Sequence, residues 1–353
     1  MGSYLYRLYR GFEGEILAIP GRVIALVFLM SLILLPFIIP SPFVLRIFSM
    51  ALIFAIYAAS WDFLRGFAGQ LNLGHALFFG VSAYTAALLN IHFGVPPWAT
   101  IPIGAIAGVI AGMIVGTPAL RLRGFYFALV TLAFPIMLVG LILLFPGFTG
   151  GELGIFGVGR LLGTKIGEYF TILSVATVSI LIMLKLTDSR SKLIRLGIVL
   201  HAIREDEITA RASGINTTRY KLLAFGISGF FAGIAGGLFV HFVRIAGPSL
   251  LDFWFSVLPI MWAVFGGVAT IYGAVVGVFI LYPLTELMRL HPLGETYDMI
   301  LMVLILIAVL LFMPQGITRW VRDHIEEICP RCKLINIRTR RSCRACRVPL
   351  RSN

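Results

Sequence analysis

Apolar residues run through most of this chain in long stretches, with polar residues gathered in the gaps between them. Ten stretches are candidates to cross about 30 Å of hydrocarbon as helices. They lie at 23–40, 43–60, 67–89, 98–116, 124–145, 169–186, 222–243, 254–269, 272–288 and 297–313. The eighth and ninth share one apolar tract split only by Gly266, Gly267 and Gly273. Eight spans with two re-entrant segments is therefore the alternative, and it leaves both ends of the chain on the same side. The predicted fold is an all-α polytopic membrane protein of about ten transmembrane helices, with a glycine-broken third span and a small C-terminal tail. Residues 1–22 form an N-terminal segment, 23–318 the membrane domain, and 319–353 the tail. The first stretch ends in IIPSP and lacks the small-residue cleavage pattern of a signal peptide, which makes it an uncleaved anchor.

Composition excludes an ordinary soluble domain: 59% of the 353 residues are hydrophobic and only 13% charged, where a soluble chain carries about a quarter. The 37 glycines suit helices that approach closely or break, because lipid gives helices no hydrophobic reason to associate and small residues supply the contact. The net charge of +13 would suit a nucleic-acid binder, but its distribution argues against one. Eight of the 29 Lys and Arg residues follow Cys329, where no acid remains, and most of the others sit in loops on one side. Short cytoplasmic loops carry such an excess. With Arg7, Arg10 and Arg22 inside, Arg121, Arg123, the loop 187–221 with its seven basic residues, and the tail all fall inside; only Arg160 and Lys165 fit poorly.

All sixteen acids are expected in loops or at span edges, with Asp62, Asp188, Glu286 and Asp298 nearest the membrane. A carrier driven by a proton relay would place ionisable groups at mid-membrane, so that mechanism is disfavoured. No GxxxxGK[ST] nucleotide loop occurs either. Energy must come from another polypeptide, or the protein is a passive pore.

Two segments carry candidate chemistry. The third stretch opens with Gly69, Gln70, Asn72, Gly74 and His75. Backbone freed at a helix break must be satisfied within the protein or beside water, so these residues either line a pathway or bond neighbouring helices. In the loop 187–221, residues 202–214 have helical spacing that puts Ala202, Ile203, Ala210 and Ile208 near one face. Arg204, Glu205, Asp206, Glu207 and Arg211 lie largely elsewhere, and Gly214 supplies a stop.

Four blocks, in order, resemble the permease subunits of branched-chain amino acid ABC transporters, in the LivM branch. GQLNLGHALFFGVSAYTAALL resembles the segment GQ.SLGH..FFG.GAY of that family, and TGGELGI at 149–155 its TGG..G loop. AIREDEITARASGINTTRYKLLAFGISGFFAGIAGGLF at 202–239 is similar to its most diagnostic stretch, and FGGVATIYGAVVG at 265–277 to GG.GT..G...G. Ala269 stands where glycine is usual and Asn72 where serine is, which leaves substrate preference open; related permeases serve urea, short amides and aromatic acids. The resemblance implies no enzyme activity in the chain itself, and ATP used only through partners: a homologous permease, two cytoplasmic ATPase subunits and an external solute-binding protein. It also implies that Gly69, Gln70, Asn72, Gly74 and His75 line the translocation pathway. Arg204, Glu205, Asp206, Glu207, Ala210 and Gly214 would couple to the ATPase, and the two halves would be inverted repeats of five spans. The other functional class is a passive channel or secondary carrier with a metal-bound sensor.

The tail has no counterpart in the family. Cys329, Cys332, Cys343 and Cys346 form CPRC, ten residues, then CRAC. That spacing matches a four-thiolate structural zinc site, and a reducing compartment disfavours disulfides. Arg331, Lys333, Arg344 and Arg347 would offset the charge of the cluster. Membrane lipids are the simplest partner for these cations, ahead of nucleic acid.

Overall fold

Hydrophobic runs separated by proline, glycine and small polar caps become a bundle of long helices. The computed structural model describes residues 20–122, 124–188, 196–290 and, with gaps, 303–348. It divides into two compact units: Pro42–Gly316, and the two ends Met1–Ser41 with Ile317–Asn353.

In the larger unit, α2 (Pro42–Asp62) continues through a π-helical turn at Phe63–Phe67. It is followed by α3 (Ala76–Phe93), α4 (Pro97–Ala119), α5 (Phe125–Leu144) and α6 (Lys165–Thr187). Two short helices, α7 (Leu196–Glu205) and α8 (Glu207–Ala212), lead to α9 (Thr217–Val243), then α10 (Phe253–Gly266) and α11 (Ile271–Arg289). In the smaller unit, α1 covers Pro20–Ile38, and α12 (Ile317–Ile325) precedes a hairpin of β3 (Glu326–Ile328) and β4 (Ile335–Ile337). Local chemistry sets the boundaries. The Thr164 side chain caps α6 and that of Asn216 caps α9. Pro97 opens α4, and Gly94 closes α3 in the left-handed conformation.

Seven described helices are long and apolar enough to cross a membrane: α2 with its π-turn, α3, α4, α5, α6, α9 and α11. The expected first span appears as the shorter apolar run Val23–Ile38. Eight of the seventeen residues of the expected tenth, 297–313, lie outside the described residues; of the others, 303–305, 307–309, 311 and 312 are helical. Two expectations need correction. The third span starts at Ala76 rather than 67, because Phe67 belongs to the π-turn that ends the preceding helix and residues 69–75 are not helical. The eighth is only 14 residues long, about 21 Å at helical rise, too short to cross. Gly267 (φ 124°) ends it, and the chain turns at once into α11.

Helix α9 packs against α4, α3 and α2 to form the core. The Phe78 ring lies against the bare backbones of Gly112 on α4 and Gly229 on α9, where a β-carbon at either glycine would collide with it. Ser82 Oγ donates to Gly233 O at 2.6 Å, tying α3 to α9. The outer face of α4 shows Ile103, Ile106, Ile110 and Ile114, all exposed at helical spacing, as a lipid-facing stripe requires. After α9 the chain forms β2 (Ile245–Ala246), which pairs antiparallel with β1 (Ile155–Phe156) and ties down the loop before α6.

Ala269, in the turn between α10 and α11, has φ 64°. An L-residue there costs about 1–2 kcal/mol, partly offset by the greater unfolded-state freedom of glycine. Ala269→Gly is expected to stabilise the protein by about 0.5–1 kcal/mol; thermal unfolding in detergent checks this, and a lower midpoint would contradict it.

Candidate functional site

The break at 69–75 is buried or half-buried apart from Gly69, and several of its polar groups are met by side chains from other helices. Asn72, His75 and Gly74 are buried, while Gly69 is exposed. Asn72 folds the segment on itself: its Oδ1 accepts from Gly74 N at 2.9 Å, and its carbonyl accepts from Trp61 Nε1 at 2.8 Å. Gly74 lies directly on the backbone of Thr131 in α5, where a β-carbon would not fit. Thr131 Oγ1 accepts from Leu73 N at 3.2 Å, and Ser256 Oγ of the half-length helix α10 accepts from Ala76 N at 3.3 Å.

His75 is fully buried at the start of α3. Ser60 spends its one proton on Tyr57 O (2.7 Å), so it accepts from His75 Nε2 at 2.9 Å. This leaves Nδ1 as the acceptor facing Asn72 Nδ2 at 3.4 Å. The imidazole therefore fits as the neutral Nε2–H tautomer, stacked on the Tyr57 ring at 5.1 Å. Ser228 Oγ donates to Ser60 O at 2.7 Å, bringing α9 into the same network. Gln70 differs: it is 6% exposed, yet neither Oε1 nor Nε2 of its carboxamide has a hydrogen-bond partner among the described residues. Tyr57, Ser60, Thr131, Ser228 and Ser256 were not singled out in the sequence. Their signal is weak, because one hydroxyl in an apolar run is common in membrane helices.

The expectation that all acids lie at span edges is overturned at Asp62. Helix α2 with its π-turn continues to Phe67, so Asp62 sits more than a turn from the end and is fully buried. Its Oδ1 accepts from Ala269 N at 2.7 Å. Gly66 packs on the same turn, where a β-carbon would lie 2.6 Å from Ala269 Cα.

The segment 202–214 is two helices rather than one, because Asp206 adopts an extended conformation and caps α8, accepting from Ile208 N at 2.8 Å and Thr209 N at 3.1 Å. Gly214 (φ 82°) closes α8: Gly214 N bonds Arg211 O and Ile215 N bonds Ala210 O, the Schellman pattern. The kink divides the expected apolar face. Ile203 and Ala210 are buried inward, whereas Ala202 and Ile208 are exposed, Ile208 by 74%. Glu207 is turned to internal use, with Lys221 Nζ at 2.6 Å, Arg211 Nη2 at 3.1 Å and Thr217 Oγ1 at 3.2 Å. Arg204 donates from Nη1 to the carbonyl of Gly66, and its alkyl chain lies 3.5 Å from where a β-carbon on Gly69 would stand. Glu205 is exposed. The kinked pair α7–α8 is thus an elbow clamped to the π-turn that ends α2 and to the start of the break.

The sulfurs of Cys329, Cys332, Cys343 and Cys346 lie within 4.8 Å of one another. The sulfurs of Cys329 and Cys346 are 3.5 Å apart and those of Cys332 and Cys343 3.4 Å, and no disulfide joins the four. Four thiolates at about 2.3 Å from one tetrahedral ion would be about 3.8 Å apart, so the donor set fits a metal. Asn336 Nδ2 points at Cys343 Sγ at 3.6 Å, and the backbone N–H of Cys332 holds the Cys329 thiol below its ordinary pKa.

Residues 43–310 match the family described as branched-chain amino acid transport system / permease component. The chain belongs to this permease family. It is 31% identical over 327 residues to the high-affinity branched-chain amino acid transport system permease protein LivM of Salmonella typhimurium, covering 85% of this chain and 76% of that one. It is 30% identical, with the same coverage, to LivM of Escherichia coli strain K12. The ribose import permease protein RbsC of Escherichia coli is 29% identical over 60% of this chain and 66% of its own. No solved structure matches. The break and the elbow lie inside the permease match and the cysteine cluster outside it.

Within the permease elbow, the Thr209 hydroxyl and amide and the Ile208 amide hold Asp206 below the ordinary carboxylate range. Partial burial of Glu207 opposes ionisation, but Lys221, Thr217 and Arg211 outweigh it and lower its pKa too. Carboxyls depressed in the folded state stabilise above their unfolded pKa, and that contribution is lost as pH falls through the folded value. Hydrogen exchange of residues 196–216, taken relative to the intrinsic rate at each pH, is expected to stay slow near pH 6 and to accelerate below about pH 4. Glu207→Ala, which loses the Lys221 contact, is expected to accelerate it already at pH 7, by about 0.5–1 kcal/mol of local stability; a pH-independent, mutation-insensitive elbow would contradict both.

Proposed function

We propose that this permease is the membrane-spanning subunit of an ATP-driven importer for branched-chain or related amino acids in the cytoplasmic membrane, with both termini inside. It pairs with a homologous permease and two cytoplasmic ATPase subunits, and an external solute-binding protein delivers the substrate. The observation that carries this reading, beside family membership, is the direct connection of the elbow to the break. Arg204 holds the Gly66 carbonyl and abuts Gly69, Gly66 and Asp62 hold the Ala269 turn, and six residues past Gly69 stands His75. A displacement of α7–α8 therefore pulls on the segment 69–75 and on the inner end of α10 together.

The division of labour within the elbow follows from its contacts. Exposed Ile208, with Ala202 and Glu205 beside it, is the surface offered to an ATPase groove, since an apolar side chain 74% exposed gains most from being covered. Asp206, Glu207, Ala210 and Gly214 shape the elbow, and Arg204 transmits its position. In the break, Asn72, Gly74 and His75 hold the non-helical backbone, and the unpaired carboxamide of Gln70 is the group free to bond a passing solute.

The test is a reconstituted complex with its ATPases and binding protein. Ile208→Asp is expected to weaken ATPase binding about tenfold or more, the cost of placing a charge in an apolar contact. Arg204→Ala is expected to keep that binding while losing substrate-stimulated hydrolysis. Uptake that survives ATP depletion and is abolished by an ionophore would overturn the proposal in favour of a secondary carrier.

We further propose that the four thiolates hold one structural zinc, which folds the tail and performs no chemistry. Elemental analysis of the purified protein is expected to give about one zinc per chain, and Cys343→Ser to abolish it; a metal-free wild type would refute the assignment.

A further inference from the structure

Beyond the family match, the tail carries a second unexplained element, α12. Successive helical residues are about 100° apart, so Ile317, Trp320, Val321, His324 and Ile325 share one side of α12. Thr318, Arg319, Arg322 and Asp323 share the other. No residue of α12 is buried, and Trp320 is 43% exposed. The His324 ring lies over the Trp320 ring at 4.2 Å, extending the flat apolar side.

Position and charge identify what covers this face. Helical residues of the last apolar run reach 312, and the four residues 313–316 can span at most about 14 Å. The helix therefore begins within a headgroup layer of the end of that run. Past it, residues 329–353 hold eight Lys and Arg and no Asp or Glu. The cysteine cluster brings the sulfurs of the two knuckles within 4.8 Å of one another. An RNA would answer the charge and leave the apolar face wet. An anionic bilayer answers both, with Trp320 at the depth where indole rings concentrate.

We propose that α12 lies in the headgroup layer with its Ile317–Trp320–Val321–Ile325 side toward the acyl chains, and that the basic cysteine-bound tail rests on the anionic leaflet of the same membrane. This makes the tail a lipid-contacting module whose attachment depends on ionic strength. It requires only that the chain spans a membrane, so it stands or falls separately from the import reading.

The test uses the full-length protein in phosphatidylcholine vesicles with and without about 30% phosphatidylglycerol. Subtracting the emission of Trp320→Phe from that of the wild type isolates Trp320. In anionic vesicles, lipid brominated near the headgroup is expected to quench that difference signal, and aqueous iodide to leave it nearly untouched. Molar salt, or the triple variant Arg338→Gln, Arg340→Gln, Arg341→Gln, is expected to reduce the quenching at least twofold; salt-insensitive quenching in both vesicle types would overturn the electrostatic attachment. Trp320 open to iodide and untouched by bromolipid would overturn the proposal, as would shielding from both, which marks a protein or RNA cover. Because Trp320→Phe retains an aromatic ring, the subtraction is checked by equal thermal unfolding of the two proteins.

Discussion

Seven residues of non-regular backbone, 69–75, sit among apolar helices, and the rest of the protein is arranged to satisfy them. Unpaired amides and carbonyls away from water cost several kcal/mol each in hydrocarbon, so the segment 69–75 survives only where other helices bring donors and acceptors to it. Trp61, Thr131, Ser228 and Ser256, from four separate helices, do so directly or through Ser60. Glycines let the backbones come near enough for those short side chains to reach. Break and core packing are therefore one constraint.

The same constraint links the inner surface to the interior. A π-turn at Phe63–Phe67 leaves the Gly66 carbonyl available, and an arginine from the elbow takes it. The buried carboxylate Asp62 joins this turn to the one at Ala269. A segment held at both ends by charged side chains has few alternative positions and changes position when its anchors do. Such an element suits a gate worked from one side of the membrane, the role the permease reading assigns to it.

The tail follows different physics. It has too few apolar residues to build a core, and its two most buried cysteines stand where a small domain would place aliphatic side chains. The metal proposed for the four thiolates would supply the missing cohesion. An amphipathic helix and a following stretch with eight cations and no acid are complementary to the same anionic leaflet.

Much of this was legible in the residues themselves. Long apolar runs identify membrane helices because lipid accepts little else, paired CxxC knuckles anticipated the clustering of four cysteine sulfurs, and Gly214 marked a helix end because it tolerates positive φ. What the linear pattern could not decide were the places where distant segments compete for the same groups. The third helix starts at Ala76 rather than 67 because the π-turn claims Phe67; α10 stops at half length because Gly267 turns the chain toward α11. Arg204 and Glu207 read as charges on the polar side of one helical segment and are in fact engaged by Gly66 and Lys221, leaving Ile208 as the outward knob. Periodicity records which side of a helix is apolar, but it contains no term for a carbonyl 138 residues away, and only the folded chain brings that partner into reach.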